Sequence, residues 1–294
     1  MATWPRDVCD WPLPPLRELW EDMAEPKNER SESYRLEDLD AEAELPRLRA
    51  QVELLAPREF VFLESLGMEP SWTVADIGCG PGFFAEKLAS ELLPEGKVIG
   101  VDVDAAMVGV AQARTTDVPR LSFHLGTAQR IPLEDNSVDL AYARFLFQHL
   151  SDPGPVLAEM RRIVRPGGLV AVGDTDDGGL AIHPAPDGFD EFLLASRTAQ
   201  AARGGDRKVG RKLKGMLVRA GLIEVHATTQ VMTSEDIGAE ALLGIAVGFK
   251  AGVLKPPFAE PEQVRAIIEE LRELSSGPEF YGHALGYLAW GTVS

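Results

Sequence analysis

Positive charge is what this chain has least of. Its 29 Lys and Arg face 46 Asp and Glu, a net charge of −17 over 294 residues. Binding to nucleic acid depends on neutralising phosphates with Lys and Arg, so DNA and RNA are not expected partners. Cysteine is nearly absent as well. Cys9 and Cys79 cannot build a disulfide framework or a zinc site. No apolar run approaches the ~20 residues of a membrane span. The opening residues, with Trp4, Asp7, Asp10 and four prolines by Pro15, are not expected to act as a secretory signal. A cytoplasmic protein without a membrane partner is the expectation. The rest is ordinary globular material, 45% apolar and 26% charged, in a chain long enough to bury a substantial core.

Between residues 71 and 174, apolar strands at 72–77, 97–101, 120–125, 138–143 and 169–173 alternate with helices. That is the pattern of a parallel sheet covered on both faces. Stretches 222–231 and 284–290 add a sixth and a seventh strand. Ahead of the sheet, a short helix is expected at 16–23 and a longer one at 41–66. In the longer one Leu45, Leu48, Val52, Leu55, Phe60, Leu63 and Leu66 recur on one face in spite of Pro46 and Pro57. The division expected is a helical extension or cap at 1–66 and a main domain at 67–294. Two insertions interrupt that domain, at about 175–221 and 233–279, with helices near 187–202, 209–220, 237–247 and 261–274. Doubly wound sheets take ligands outside the carboxyl ends of their strands. Both insertions begin there, so with the N-terminal helices they are expected to enclose a substrate chamber.

One motif stands out. The first strand ends on Asp76 and passes into Gly78, Cys79, Gly80 and Gly82, after which a helix begins with Phe83, Phe84 and Leu88 at helical spacing. Glycines let a ligand lie against the backbone, and the new helix aims its free N–H groups at it. Roughly 20 residues later the second strand ends on Asp102, the distance at which nucleotide-binding units place a carboxylate on ribose hydroxyls.

The glycine spacing is G-x-G-x-G, not the G-x-G-x-x-G of dinucleotide folds. With Asp76 ahead of it, it resembles motif I of the class I S-adenosylmethionine-dependent methyltransferases, of the small-molecule type. Residues 98–107, 126–132, 137–144 and 157–169 resemble the family's later motifs in the same order, over about half the chain. The resemblance implies a doubly wound, Rossmann-like α/β fold with a mostly parallel seven-stranded sheet, the seventh strand antiparallel and inserted between the fifth and sixth. It implies S-adenosylmethionine as cofactor and methyl transfer to oxygen, nitrogen or carbon of a small organic acceptor, such as a specialised metabolite. No metal is required. Homodimerisation through the N-terminal helices is compatible with it.

By the same resemblance Gly78, Gly80 and the backbone around Cys79 and Gly82 contact the methionine portion, with Asp76 near its ammonium. Asp102 takes both ribose hydroxyls, Val103 and Met107 pack by the adenine, and Ala128 and Gln129 border it. Thr127 stands where the family often has Asp, and a hydroxyl accepts the adenine amine less strongly than a carboxylate does. Arg144 lines the methionine end, and Tyr34 and Gln51 reach toward it.

Methyl transfer from a sulfonium needs alignment and exclusion of water, and a base only where the acceptor must lose a proton. The candidates for that work are His149 after the fourth strand, Asp174 at the end of the fifth, and Tyr34. For His149 a structural role among Phe145, Leu146, Phe147 and Leu150 is equally open. The charges of Arg203 and Arg207 either contact an acidic acceptor or cap a helix. Two rival functions stay open at this point: a cofactor-binding relative that does not methylate, and a nicotinamide-dependent oxidoreductase.

Overall fold

The computed structural model describes residues 41–294. Tyr34 and the short helix expected at 16–23 lie outside the described residues. The chain enters as helix α1 (Ala41–Ser65), whose Val52, Ala56, Phe60 and Leu63 join the core on the face the spacing predicts. Strand β1 (Thr73–Ile77) is buried from Val74 onward because both faces of the sheet are covered.

Helix α2 (Phe83–Glu91) and strand β2 (Lys97–Asp102) follow. Two glycines decide the packing here. Gly82 begins α2 at φ 76°, where an added Cβ would sit 2.7 Å from the Phe123 ring. At Gly100 an added Cβ would sit 2.4 Å from the same ring and 2.8 Å from the Cys79 sulfur. Only bare backbone lets the glycine turn, β2 and Phe123 come this close. Gly78 and Cys79 then donate their N–H groups to the Val101 carbonyl, at 2.8 and 3.2 Å, and stitch the turn to β2.

Helix α3 (Ala105–Arg114) is capped by Asp104, whose carboxylate accepts from the N–H groups of Ala106 and Met107. Strands β3 (Leu121–Leu125) and β4 (Val138–Arg144) precede helix α4 (Pro153–Ile163). That helix starts with Pro153 behind the capping carboxylate of Asp152. Strand β5 (Val164–Thr175) begins five residues earlier than hydrophobic patterning suggests, because Val164 already pairs with Val138 ahead of a register shift.

The first insertion supplies strand β6 (Ala181–His183) and helices α5 (Phe189–Ala202) and α6 (Leu213–Arg219), and strand β7 (Ile223–Thr233) of the main sheet follows. Short helices α7 (Ser234–Ile237) and α8 (Ala239–Leu243) come next. A π-helical turn (Gly244–Gly248) carries α8 into helix α9 (Phe249–Val253). The helix expected at 237–247 is therefore broken at Gly238, runs on to Val253 and is locally under-wound. Helix α10 (Pro261–Ser275) leads into strand β8 (Tyr281–Thr292).

The sheet has eight strands where seven were expected. The addition, β6, is three residues long, too short to show an alternating signal. Strands β3, β2, β1, β4 and β5 pair in parallel. β8 runs antiparallel between β5 and β7, as the family resemblance implies, and β6 pairs with its first residues. Helices α1 and α2 bury one face of the sheet, and α4 and α6 the other. The insertion helices hold a third cluster of their own, built on Phe189, Phe192, Val247, Leu254 and Ile268. Among the described residues no helix is long and apolar enough to cross a membrane.

Candidate functional site

The strand order reverses between β1 and β4, and a cavity of about 700 Å³ opens there at the carboxyl ends of the strands, where doubly wound sheets place ligands. Asp76 comes from β1, Asp102 from β2, Arg144 from β4 and Thr175 from β5. α1 contributes Arg47, Leu48, Gln51 and Val52, and the insertions add Arg207, Ile245 and Phe249.

Asp102 stands at one end with Val103, Met107, Ala128 and Gln129 around it. Its two oxygens accept the N–H groups of Gly80, at 2.8 Å, and Asp104, at 2.9 Å. Each oxygen keeps a further lone pair for a ligand hydroxyl. Burial pushes its pKa above the usual carboxylate range, opposed by those backbone donors.

Asp76 forms the floor. It is 2% exposed, and its Oδ2 has no hydrogen-bond partner among the described residues. Burial raises its pKa to about 7; Arg144 works against that, and the carboxylates of Asp102 and Glu59 reinforce it. Arg144 supplies the complementary orphan. Its Nε donates to both Glu59 oxygens, at 2.9 and 2.8 Å, while its Nη2 is buried without a partner among the described residues. The guanidinium is wedged against the rings of Phe84 and Phe145, 5.1 and 4.7 Å from their centroids. Tyr142 donates its hydroxyl to Glu59 at 3.1 Å, so one α1 carboxylate orients two β4 side chains. Phe145 itself sits at φ 54°, a strained conformation for an aromatic residue of the kind that clusters at ligand clamps.

Beyond this floor lies His149. Gln200 donates one amide hydrogen to the Gln148 carbonyl and the other to His149 Nδ1, at 2.9 and 3.0 Å. The imidazole must therefore carry its hydrogen on Nε2. Burial first, and then the charges of Arg207, Arg203 and Arg47, depress its pKa to about 3.

Residues 75–172 match the family of methyltransferase domains. An uncharacterised 37.1 kDa transposon protein of Streptomyces fradiae is 36% identical over 161 residues, 55% of this chain and 46% of that protein. The arsenite methyltransferase of Halobacterium salinarum is 31% identical over 174 residues, 58% of this chain and 42% of that enzyme. A phosphoethanolamine N-methyltransferase of Haemonchus contortus, solved with S-adenosylmethionine, shares the fold at a TM-score of 0.54 and 20% identity, covering 81% of this chain and 53% of that one. The chain contains a class I S-adenosylmethionine-dependent methyltransferase domain. It spans about half the length of the curated relatives it matches.

Most of the methyltransferase-motif residues converge on the cavity. Gln51, Asp76, Gly78, Cys79, Gly80, Asp102, Val103, Met107, Ala128, Gln129 and Arg144 line it. Gly82 and Thr127 do not. Gly82 serves the packing of α2, and Thr127 is exposed, its carbonyl closing a turn onto the Arg130 N–H. The donor set fits the cofactor on the structure's own terms. Asp102 offers acceptors for a diol, and the unpartnered Asp76 Oδ2 and Arg144 Nη2 match the two ends of a zwitterionic amino acid.

The expected catalytic groups fare differently. His149 lines the cavity but is a neutral hydrogen-bonding group, because its Nδ1 is engaged and its protonation is suppressed. Asp174 does not reach the cavity. Its oxygens accept the N–H groups of Gln148 and Thr175, at 3.0 and 2.8 Å, clamping the His149 turn to β5. Asp176 and Asp177 are likewise engaged, by Arg211 and Arg207. Glu59 and Gln200 escaped sequence reasoning. A carboxylate among Leu55, Phe60 and Leu63 on the apolar stripe of α1 was the available sign for Glu59.

Proposed function

We propose that this chain transfers the methyl group of S-adenosylmethionine to a small organic acceptor held under the helical insertions. The observation that carries the reading is the pair of buried, unpartnered and oppositely charged atoms, Asp76 Oδ2 and Arg144 Nη2, beside Asp102. When bound, the sulfonium supplies an electrophilic methyl and leaves as a neutral thioether. The chain's own residues do the rest. Asp102 holds the ribose hydroxyls, Asp76 and Arg144 hold the amino-acid end, and the glycine turn lets the ligand lie on the backbone. Leu146, Leu150, Ile245 and Phe249 keep water from the reacting atoms.

Among the described residues no carboxylate lines the acceptor end and His149 is held neutral, which favours an acceptor that arrives already nucleophilic. The reading takes residues 1–66 as a cap on a catalytic domain at 67–294, supported by the four cavity residues of α1. It carries with it a specialised metabolite as acceptor, at oxygen, nitrogen or carbon, and a cytoplasmic setting in keeping with the charge of −17. Methyl-labelled cofactor incubated with the protein and pooled small metabolites tests it. Label appearing in a product supports the reading, and protein that binds cofactor but moves no label refutes it. His149→Asn is expected to keep label transfer within about tenfold and leave its pH profile unchanged, since it removes no base. A lost ionisation near neutrality would restore His149 as a base.

Asp76 gives the cofactor reading a pH signature. In the ligand-free fold its pKa is raised to about 7 from 3.8, so the folded state binds the extra proton. Its contribution to stability is therefore fully present below the unfolded pKa and lost as pH rises through about 7. A ligand ammonium favours the ionised form. Affinity for S-adenosylhomocysteine should rise between about pH 6 and 7.5, approaching tenfold per unit at the acid end. Asp76→Asn should flatten that slope. Calorimetric titrations across the window measure it, and a slope kept by Asp76→Asn contradicts the assignment.

A further inference from the structure

At the acceptor end of the cavity two buried basic side chains share one carboxylate, and burial, with Arg207 adding to it, lowers the pKa of one of them, Lys250, to about 7. Arg207, 6% exposed, donates from Nε and Nη2 to Asp177, at 2.8 and 3.2 Å, and from Nη1 to Gln148 Oε1 at 3.0 Å. Lys250, 3% exposed, places Nζ 3.2 Å from the same Asp177. Asp177 is thereby held below the usual carboxylate range in spite of its burial, because Lys250 and Arg207 outweigh it. The other charges facing the group are Asp174, whose carboxyl is spent on backbone amides, Arg203, Arg197, and Arg47 with its partner Glu44.

Of these charged groups only Arg207 and Arg47 line the cavity, and among the described residues no carboxylate lines this end. A guanidinium has five N–H donors. Three of Arg207's are spent above, which leaves one on each terminal nitrogen without a partner among the described residues. The Phe249 ring lies 5.6 Å from its guanidinium carbon, and the apolar Leu146, Leu150 and Ile245 line the same cavity. Buried charge left without a full counter-charge is costly, and an entering anion offsets that cost. A cation finds no carboxylate to meet it among the described residues.

We propose that the acceptor is an apolar molecule bearing one carboxylate, and that Arg207 receives this group through its two unspent N–H donors. The proposal rests on the methyl-transfer reading and names its acceptor class. One N–H on each terminal nitrogen of a planar guanidinium suits the two oxygens of a carboxylate, and the apolar walls make a phosphate dianion the costlier group to desolvate.

The test uses the full chain saturated with S-adenosylhomocysteine. Ligand-observed NMR screens aryl and alkyl carboxylates against the carboxamides, amines and phosphate monoesters of the same carbon skeletons. Carboxylates should dominate the hits, and Arg207→Met should weaken them by about tenfold or more while S-adenosylhomocysteine affinity stays within about twofold. Arg207→Lys should recover part of the loss. Hits without carboxylate preference, phosphates bound best, or carboxylate affinity unmoved by Arg207→Met would each overturn the proposal. If Arg207→Met also loses S-adenosylhomocysteine, Lys250→Met serves instead. It removes the second basic side chain without touching the cavity wall and should weaken carboxylates several-fold, and unchanged affinity there overturns the proposal too. A parent protein that does not bind S-adenosylhomocysteine overturns the cofactor reading, and this proposal with it. A parent that binds it but shows no carboxylate preference overturns this proposal alone.

Discussion

Asp102→Ala will lower affinity for S-adenosylhomocysteine by roughly a hundredfold or more, read by titration calorimetry. Hydrogen bonds to a charged acceptor contribute about 1.5–3 kcal/mol each, and the ribose would lose two. The damage extends to the free protein. The N–H groups of Gly80 and Asp104, held by this carboxylate at 2.8 and 2.9 Å, lose their acceptor, so the glycine turn is no longer tied to the end of β2. Asp102→Asn keeps one oxygen and should fall about tenfold, between the two. An alanine variant that binds within about threefold of the parent would remove the ribose from this site.

Glu59→Ala should be the most destabilising single change away from the ligand. Glu59 and Arg144 are a buried pair, with side chains 7% and 9% exposed. Removing one partner of such a pair costs about 3–5 kcal/mol, because the other charge stays behind unpaired. The Tyr142 hydroxyl, fully buried behind it, loses its acceptor as well. Glu53→Ala, one and a half turns earlier on the same helix, is the internal comparison. Glu53 is half exposed and meets Lys87 at 3.1 Å, and exposed pairs are worth about 1 kcal/mol or less. Urea unfolding of both variants measures the contrast. If Glu59→Ala lies within about 1 kcal/mol of Glu53→Ala, the buried pair does not hold the floor of the cavity.

The cofactor half of the site was legible because its chemistry is local in the chain. A glycine turn and a carboxylate one strand later are fixed by the length of a strand–helix–strand unit, so spacing pointed to Gly80 and Asp102 and the family resemblance to Asp76, and all three line the cavity. The rest of the candidate site is assembled from residues far apart in sequence. Gln200 meets His149 across 51 positions, and Glu59 meets Arg144 across 85. Nothing in their neighbourhoods announces the partner. His149 shows the consequence, since its residue type suggests a base and only its surroundings reveal a neutral donor. Asp174 is similar: strand-end position pointed it at the acceptor, while the backbone of the neighbouring turn claimed both oxygens. In the fold, β6 and the early start of β5 depend on pairing with distant strands, which periodicity does not encode. The eight-stranded order followed the family's topology, with β8 antiparallel between β5 and β7.

The insertion helices carry a hydrophobic cluster separate from the two that sandwich the sheet. Residues such as Ile245 and Phe249 can therefore vary against a foundation that the nucleotide-holding layers do not share. Divergence among descendants of this scaffold is expected to accumulate in the roof, altering which compounds are accepted while the grip on the methyl donor is inherited unchanged.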